Sequence, residues 1–361
     1  MSAVLFAALL APAAEPEFAG RPLSAWATQL KEDDTPRRRR AAALALGQLG
    51  AANPETLPVV LAALGKAART DASPDVRRQA VASVAQQKPD DSTAAVDDLT
   101  EALRAEKQPA VRLELATALG RFGPAAATAV KPLADCLPDP DAKLRTAAAA
   151  ALGRIGPDAS AAAPALLARL ADTDPGVKRE AVAAVSRVKP AEPSTVAAAL
   201  VKLLGPADAT LRREVLESLG RLGDHGTATV TAVGTELGHA DVEVRLAAAQ
   251  TLNRFGPAAT AASDRLTTAF RSDGSPRLRE AAARTLVAVW KSEPGTAITA
   301  LADRLPLDPA VEVRVTIAEL LGGYGATAGP ALPALRRARS DADPRVRQAA
   351  TEAIRRVEPK P

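Results

Sequence analysis

Cysteine, histidine and aromatic side chains are nearly missing from this chain of 361 residues. A single cysteine, Cys136, excludes an internal disulfide and a cysteine-built zinc site, and its apolar setting, ADCL, reads as a small buried residue rather than a reactive thiol. Two histidines, His225 and His239, are too few for most metal centres and read as solvent-exposed loop residues. Aromatics make up 2% of the chain, too sparse for the stacking platforms that single-stranded nucleic acid uses. A net charge of +4 is mild for this length and demands no polyanionic partner. No apolar run reaches the roughly 20 residues that a membrane helix needs.

The opening MSAVLFAALLAPAAEPEF also lacks something: no Lys or Arg precedes Arg21. Its apolar run from Ala3 to Leu10, followed by Ala11-Pro12-Ala13, fits a cleaved export signal over residues 1–14. The missing basic region leaves a cytoplasmic leader as the alternative. Localisation divides the same way, periplasm or cell envelope if the leader is cleaved and cytoplasm otherwise.

What is present is alanine, the best helix former, within a chain that is 47% hydrophobic and poor in β-branched runs, so the composition favours an all-α protein. The chain also repeats itself. Taking one basic residue as anchor, copies align at Arg39, Arg77, Arg112, Arg145, Lys178, Arg212, Arg245, Arg279, Arg314 and Arg347, in steps of 33 to 38 residues. Around each anchor the apolar residues follow a helical period; Val111, Leu115, Ala118, Leu119 and Phe122 are one set, Leu144, Ala148, Ala151, Leu152 and Ile155 the next. The third member is mostly small, which lets a neighbouring helix come close. Thr35-Pro36, Ser73-Pro74, Asp174-Pro175, Ser275-Pro276 and Asp343-Pro344 place an N-cap residue before a proline at the first helical position. Before each such helix lies a shorter apolar stretch, some with a proline (Pro132, Pro164, Pro333) expected to kink it.

The hexapeptide LGRIGP at Leu152–Pro157 returns as LGRFGP and LNRFGP. It follows a helix and lacks a preceding strand, so it is no phosphate loop. Its glycines read as the last turn and exit of the second helix, with Arg154 placed for the C-terminal dipole.

Units such as DPDAKLRTAAAAALGRIG (Asp139 to Gly156) and DADPRVRQAATEAIRRV (Asp341 to Val357) resemble the HEAT repeat, in the HEAT-like, phycobilisome-lyase-type class common in bacteria. The resemblance implies a right-handed α-solenoid, a superhelix of about ten helix pairs over residues 15–361, with the second helices lining its concave side. It also implies an inter-repeat hydrogen-bonding ladder of an Asp six residues before an Arg: Asp33/Arg39, Asp71/Arg77, Asp139/Arg145, Asp273/Arg279, Asp308/Arg314 and Asp341/Arg347. Asp172 precedes Lys178 and Glu106 precedes Arg112. Pro206 and His239 stand in the Asp position of two copies, where the ladder is expected to break. GRPLSAW (Gly20 to Trp26) is similar to openings of exported members, with Trp26 expected to cover the end of the first pair.

Nine residues past the anchor, Arg121, Arg154, Arg187, Arg221 and Arg254 form a stripe through five consecutive copies. A row of guanidinium groups can grip carboxylates or phosphates, and a basic residue at a helix C-terminus is also favourable by itself. Arg37–Arg40 reads as a solvated charge run. The acidic triplets at Asp139–Asp141, Asp172–Asp174 and Asp341–Asp343 lack the glycine and distal glutamate of a calcium loop and read as helix caps. No His is followed by Glu, which counts against the iron-dependent hydroxylase built on this repeat. The expectation is a monomeric, non-catalytic scaffold or adaptor that binds a protein partner along the concave face of the solenoid, with no cofactor. A nucleic-acid-binding solenoid using the arginine stripe and a lyase-like accessory enzyme are the alternatives.

Overall fold

The computed structural model describes residues 15–87, 93–205, 207–223 and 226–358. The leader over residues 1–14, Pro206 and His225 lie outside them. The chain divides into two compact units, residues 1–184 and 185–361.

In the first unit a short hairpin, β1 (Glu17–Phe18) and β2 (Arg21–Pro22), precedes α1 (Leu23–Glu32) and α2 (Pro36–Ala52). Helices α3 (Leu57–Thr70) and α4 (Pro74–Ala85), α5 (Thr93–Ala105) and α6 (Pro109–Arg121), then α7 (Val130–Asp135) and α8 (Ala142–Ile155) continue the pairing. Next come α9 (Ala163–Arg169) and α10 (Pro175–Arg187), and the division between the units falls inside α10. In the second unit the pairs are α11 (Pro193–Leu204) and α12 (Ala209–Leu222), α13 (Thr227–Thr235) and α14 (Val242–Phe255), and α15 (Ser263–Ser272) and α16 (Pro276–Val289). They end with α17 (Pro294–Arg304) and α18 (Val311–Gly323), then α19 (Leu332–Ala338) and α20 (Pro344–Val357). The fold is an all-α solenoid, with the hairpin as the β structure among the described residues.

Within each unit successive second helices lie side by side, α2 to α8 in one and α12 to α20 in the other. Their apolar faces supply the core. Val111, Leu115, Ala118 and Leu119 of α6 are buried, as are Leu144, Ala148, Leu152 and Ile155 of α8. Each fully buried Leu or Ile is worth about 1.5–3 kcal/mol relative to exposure. Alanine contributes less, and the compensation is close approach. A Cβ added to Gly153 would lie 3.0 Å from the Cα of Ala184, and one on Gly322 2.9 Å from the Cα of Ala353, so these helices touch backbone to backbone. The first glycine of LGRIGP is therefore a packing requirement, beyond the helix-end role read from the sequence. The second is the exit: Gly156 takes φ +77° and ψ −136°, a region closed to side chains, and accepts no substitute without strain.

Two local expectations are corrected. The helices do begin at Pro36, Pro74 and Pro276, but Thr35, Ser73 and Ser275 make no side-chain cap; their N–H groups instead donate to Asp33, Asp71 and Asp273, two residues earlier. Asp174 and Asp343 do cap, accepting from Gly176 and Arg345 N–H. Pro164 and Pro333 do not kink a helix from within. They open the short α9 and α19, where no intrahelical bond is lost, after 3₁₀ segments at Gly156–Ala162 and Gly325–Ala331 whose bends lie at Ala159 and Ala328. Pro132 sits in the first turn of α7.

Candidate functional site

The ladder residues meet from one copy to the next. Arg39 and Asp33 do not meet through their side chains: Arg39 Nη1 donates to the main-chain carbonyl of Asp33, while Nε and Nη2 grip Asp71 of the following copy at 2.7 and 2.9 Å. The same division runs through the first unit as Arg77–Glu106 (2.6 Å) and Arg145–Asp172 (2.7 Å), while Arg112 reaches Asp139 through Nη1 and Cys136 through Nη2. The second unit has Arg245–Asp273 (2.9 Å), Arg279–Asp308 (2.8 Å) and Arg314–Asp341 (2.8 Å). Each acid also holds a turn N–H two residues on, as Asp71 holds Ser73, Asp139 holds Asp141, Asp308 holds Ala310 and Asp341 holds Asp343. One carboxylate thus shapes the turn of its own copy and ties it to the copy before. The acidic triplets are explained by that geometry. At the last anchor, Arg347 donates to the carbonyls of Asp341 and Ala342.

The expected break at His239 does not occur. Arg212 donates to both carboxylate oxygens of Glu236, three residues before His239, at 2.8 and 3.0 Å. His239 Nδ1 accepts the Asp241 N–H at 3.0 Å, so imidazole does the turn and Glu236 the charge. Lys178 forms no ion pair among the described residues.

Burial and pairing set the ladder's electrostatics. Arg145 holds the Asp172 carboxyl below its ordinary range, and Arg314 does the same for Asp341. At Asp308 burial pushes the carboxyl up, but donors from Arg279, the Ala310 N–H and Arg304 prevail and hold it low. Beside the Arg112 rung, buried Cys136 accepts from Arg112 Nη2 at 3.6 Å, and burial pushes its thiol up, so it is poorly suited to react as a thiolate.

The stripe arginines all stand exposed at the C-terminal ends of second helices, Arg121 and Arg154 in the first unit, Arg187, Arg221 and Arg254 in the second. Arg121, Arg154, Arg221 and Arg254 lean back on the preceding copy. Arg121 donates to the carbonyl of Ala85 at the end of α4, and Arg221 to Ser186 and Glu217. Arg154 and Arg254 lie over Gly120 and Gly220, their Nη1 atoms 3.4 and 3.3 Å from where a Cβ would stand. Helix-end chemistry therefore accounts for part of the stripe, while Arg154, Arg187 and Arg254 keep guanidinium groups without an ion pair among the described residues. Of Arg37–Arg40, Arg39 belongs to the ladder and the other three are exposed.

Two adjoining grooves in the second unit, of 350 and 470 Å³, open on either side of α14 against α12 and α16. Leu246, Gln250, Arg254 and Arg277 border both. The sequence reading named Arg254 alone among these; the signal for the rest was their shared outward face on successive second helices.

The HEAT-repeat family profile matches residues 61–153, 96–186, 163–230, 197–287 and 230–322, continuous cover of 61–322, and the PBS lyase HEAT-like repeat matches residues 38–66. This chain belongs to the HEAT-repeat family. No curated protein matches it. Among solved structures, the HEAT-repeat chain is similar to an engineered protein at 21% identity and a TM-score of 0.59, covering 93% of this chain and 98% of that one. It is also similar to importin beta crystallised in ammonium sulfate, at 12% identity and a TM-score of 0.57, covering 92% of this chain and 51% of importin beta. Both likenesses are of fold.

Two further features fit this solenoid. Trp26 is buried under the hairpin, its Nε1 donating to the Phe18 carbonyl at 3.0 Å with the Arg21 guanidinium 4.3 Å from its ring centroid, so Trp26 and the hairpin together cover the first pair. Among the described residues no helix is long and apolar enough to cross a membrane.

Proposed function

We propose that this HEAT-repeat protein is a non-catalytic scaffold that binds a protein partner on the solvent-facing sides of its second helices. The observation that carries this reading is the outward face of those helices in each unit. It is built on rigid, ladder-tied elements, it is uncovered, and in the second unit it opens into grooves bordered by charged side chains. HEAT repeats generally mediate protein interactions, and stacking supplies extended surface rather than an enclosed pocket. Arg121, Arg154, Arg187, Arg221 and Arg254 stand on this face as candidate contacts. A nucleic-acid partner is the weaker reading, because no aromatic side chain borders those grooves for base stacking.

Photo-crosslinking side chains at Gln48, Gln250 or Glu319 on second helices, compared with Glu101, Lys131 or Thr268 on first helices, test the proposal in cells. Adducts with one protein confined to the second-helix positions are the expected result. Equal yields from both faces, or none from either, refute it.

A further inference from the structure

The charges around α14 are unevenly paired. Arg277 spends its guanidinium on Glu243 at 2.7 Å, and Glu217 takes Arg221 at 2.5 Å. Arg284 reaches only the Thr316 hydroxyl, at 3.3 Å. Arg213 and Arg254, which border the α12–α14 groove, have no carboxylate partner among the described residues. Glu280 is the one groove glutamate left without an ion pair among the described residues. Three guanidinium groups thus face one carboxylate. Between them the floor is apolar: Leu246 is shared by both grooves and nearly buried, with Ala247 and Ala281 beside it. Gln250 stands in the shared wall with an amide that both donates and accepts.

From this arrangement we infer that the two grooves hold an extended acidic segment of a partner protein, its carboxylates on Arg213, Arg254 and Arg284 and an apolar side chain on Leu246. The inference rests on the second-helix face being the partner-binding face and names the chemistry of what it takes. Guanidinium forks match carboxylates two bonds at a time. Packed helices lie about 10 Å apart, and a polyproline-type extended chain advances about 3.1 Å per residue with three residues per turn, so about three residues cross one helix and every third side chain returns to the same face. Acidic residues at every third position therefore meet successive arginines, with apolar ones between them over Leu246. A nucleic acid fits less well. No aromatic side chain borders the grooves for base stacking.

The test is fluorescence anisotropy of the full chain with a fluorescein-labelled peptide carrying Glu at every third position and Ser and Leu between, beside its Gln twin. Binding of the acidic peptide, weakened about tenfold or more in the Gln twin and by Arg254→Glu or Arg213→Glu, is the expected outcome. Arg271→Glu, exposed on the first helix α15 and bordering neither groove, should leave the affinity unchanged. Circular dichroism checks that each variant is folded; if one is not, the other and the Gln twin still decide. Equal binding of the two peptides, indifference to both groove substitutions, or stronger binding of a single-stranded oligonucleotide overturns the inference. Should the peptide fail while crosslinks persist on second helices, the acidic-segment inference alone is wrong; should those crosslinks also be missing, the scaffold reading fails with it.

Discussion

Asp308 is the most heavily committed carboxylate of the ladder, and its removal gives a sharp test of what holds the repeats together. Its side chain is 0% exposed and accepts from Arg279 Nε and Nη2 (2.8 and 2.8 Å), Arg304 Nε and Nη2 (3.0 and 2.9 Å) and the Ala310 N–H (2.9 Å). Asp308→Ala leaves the Arg279 guanidinium, on a side chain only 5% exposed, without a counter-charge. Breaking such a buried pair from one side costs about 3–5 kcal/mol, whereas replacing both partners by apolar residues is often near neutral. Arg279→Met with Asp308→Leu should therefore recover the part of the loss due to Arg279, while the Arg304 and Ala310 N–H donors stay unpaired. Asp341→Ala should cost less, because that rung is 14% and 15% exposed on its two side chains. Stability in a solenoid is carried by neighbour interfaces, so hydrogen exchange over α16 and α18 should rise far more than over α2, alongside a lower urea midpoint. The acid limb gives a second readout. The folded carboxyl titrates below its ordinary value, so its contribution is present above about pH 4 and is lost as pH falls through the depressed folded value; Asp308→Ala should flatten that limb. If Asp308→Ala costs no more than Asp135→Ala, which breaks an exposed pair with Lys131, the ladder does not tie the repeats and the apolar faces alone do so.

Gly153→Val should destabilise by about 1–3 kcal/mol by thermal melt, since its Cβ would stand 3.0 Å from the Cα of Ala184 and force α8 and α10 apart; an unchanged melt would mean that the close approach is not required. Glu236→Gln should cost about 1.5–3 kcal/mol by removing the charge that Arg212 grips, and His239→Ala only about 1 kcal/mol for its turn bond. The reverse order, measured by urea unfolding, would assign the rung to His239.

Periodicity made the fold legible, because every copy solves the same packing problem and the solution recurs in every column. What it hid is which copy each side chain serves. An Asp six residues before an Arg recurs whether the two bond within a copy or one copy apart, so spacing alone does not distinguish Arg39–Asp33 from Arg39–Asp71; the choice is made by helix orientation, which points the guanidinium onward and leaves only its Nη1 for the Asp33 carbonyl. Glu236 escaped for a related reason. It stands outside the column, on a 3₁₀ turn at Glu236–Gly238 whose geometry brings a longer side chain to the place an Asp holds elsewhere. The hairpin was missed because it belongs to no copy: its signal was local, Ala19 and Gly20 at φ 52° and 71°, the left-handed pair that a two-residue turn between strands requires. The groove residues around α14 share that obscurity, since outward positions vary from copy to copy while inward ones repeat. Variation against a fixed frame is what lets one helix pair differ in its contacts from the next: the unpaired Arg213 lies at such a varying position, with Leu246 and Glu280 in its place on the next two second helices, beside a ladder that hardly changes.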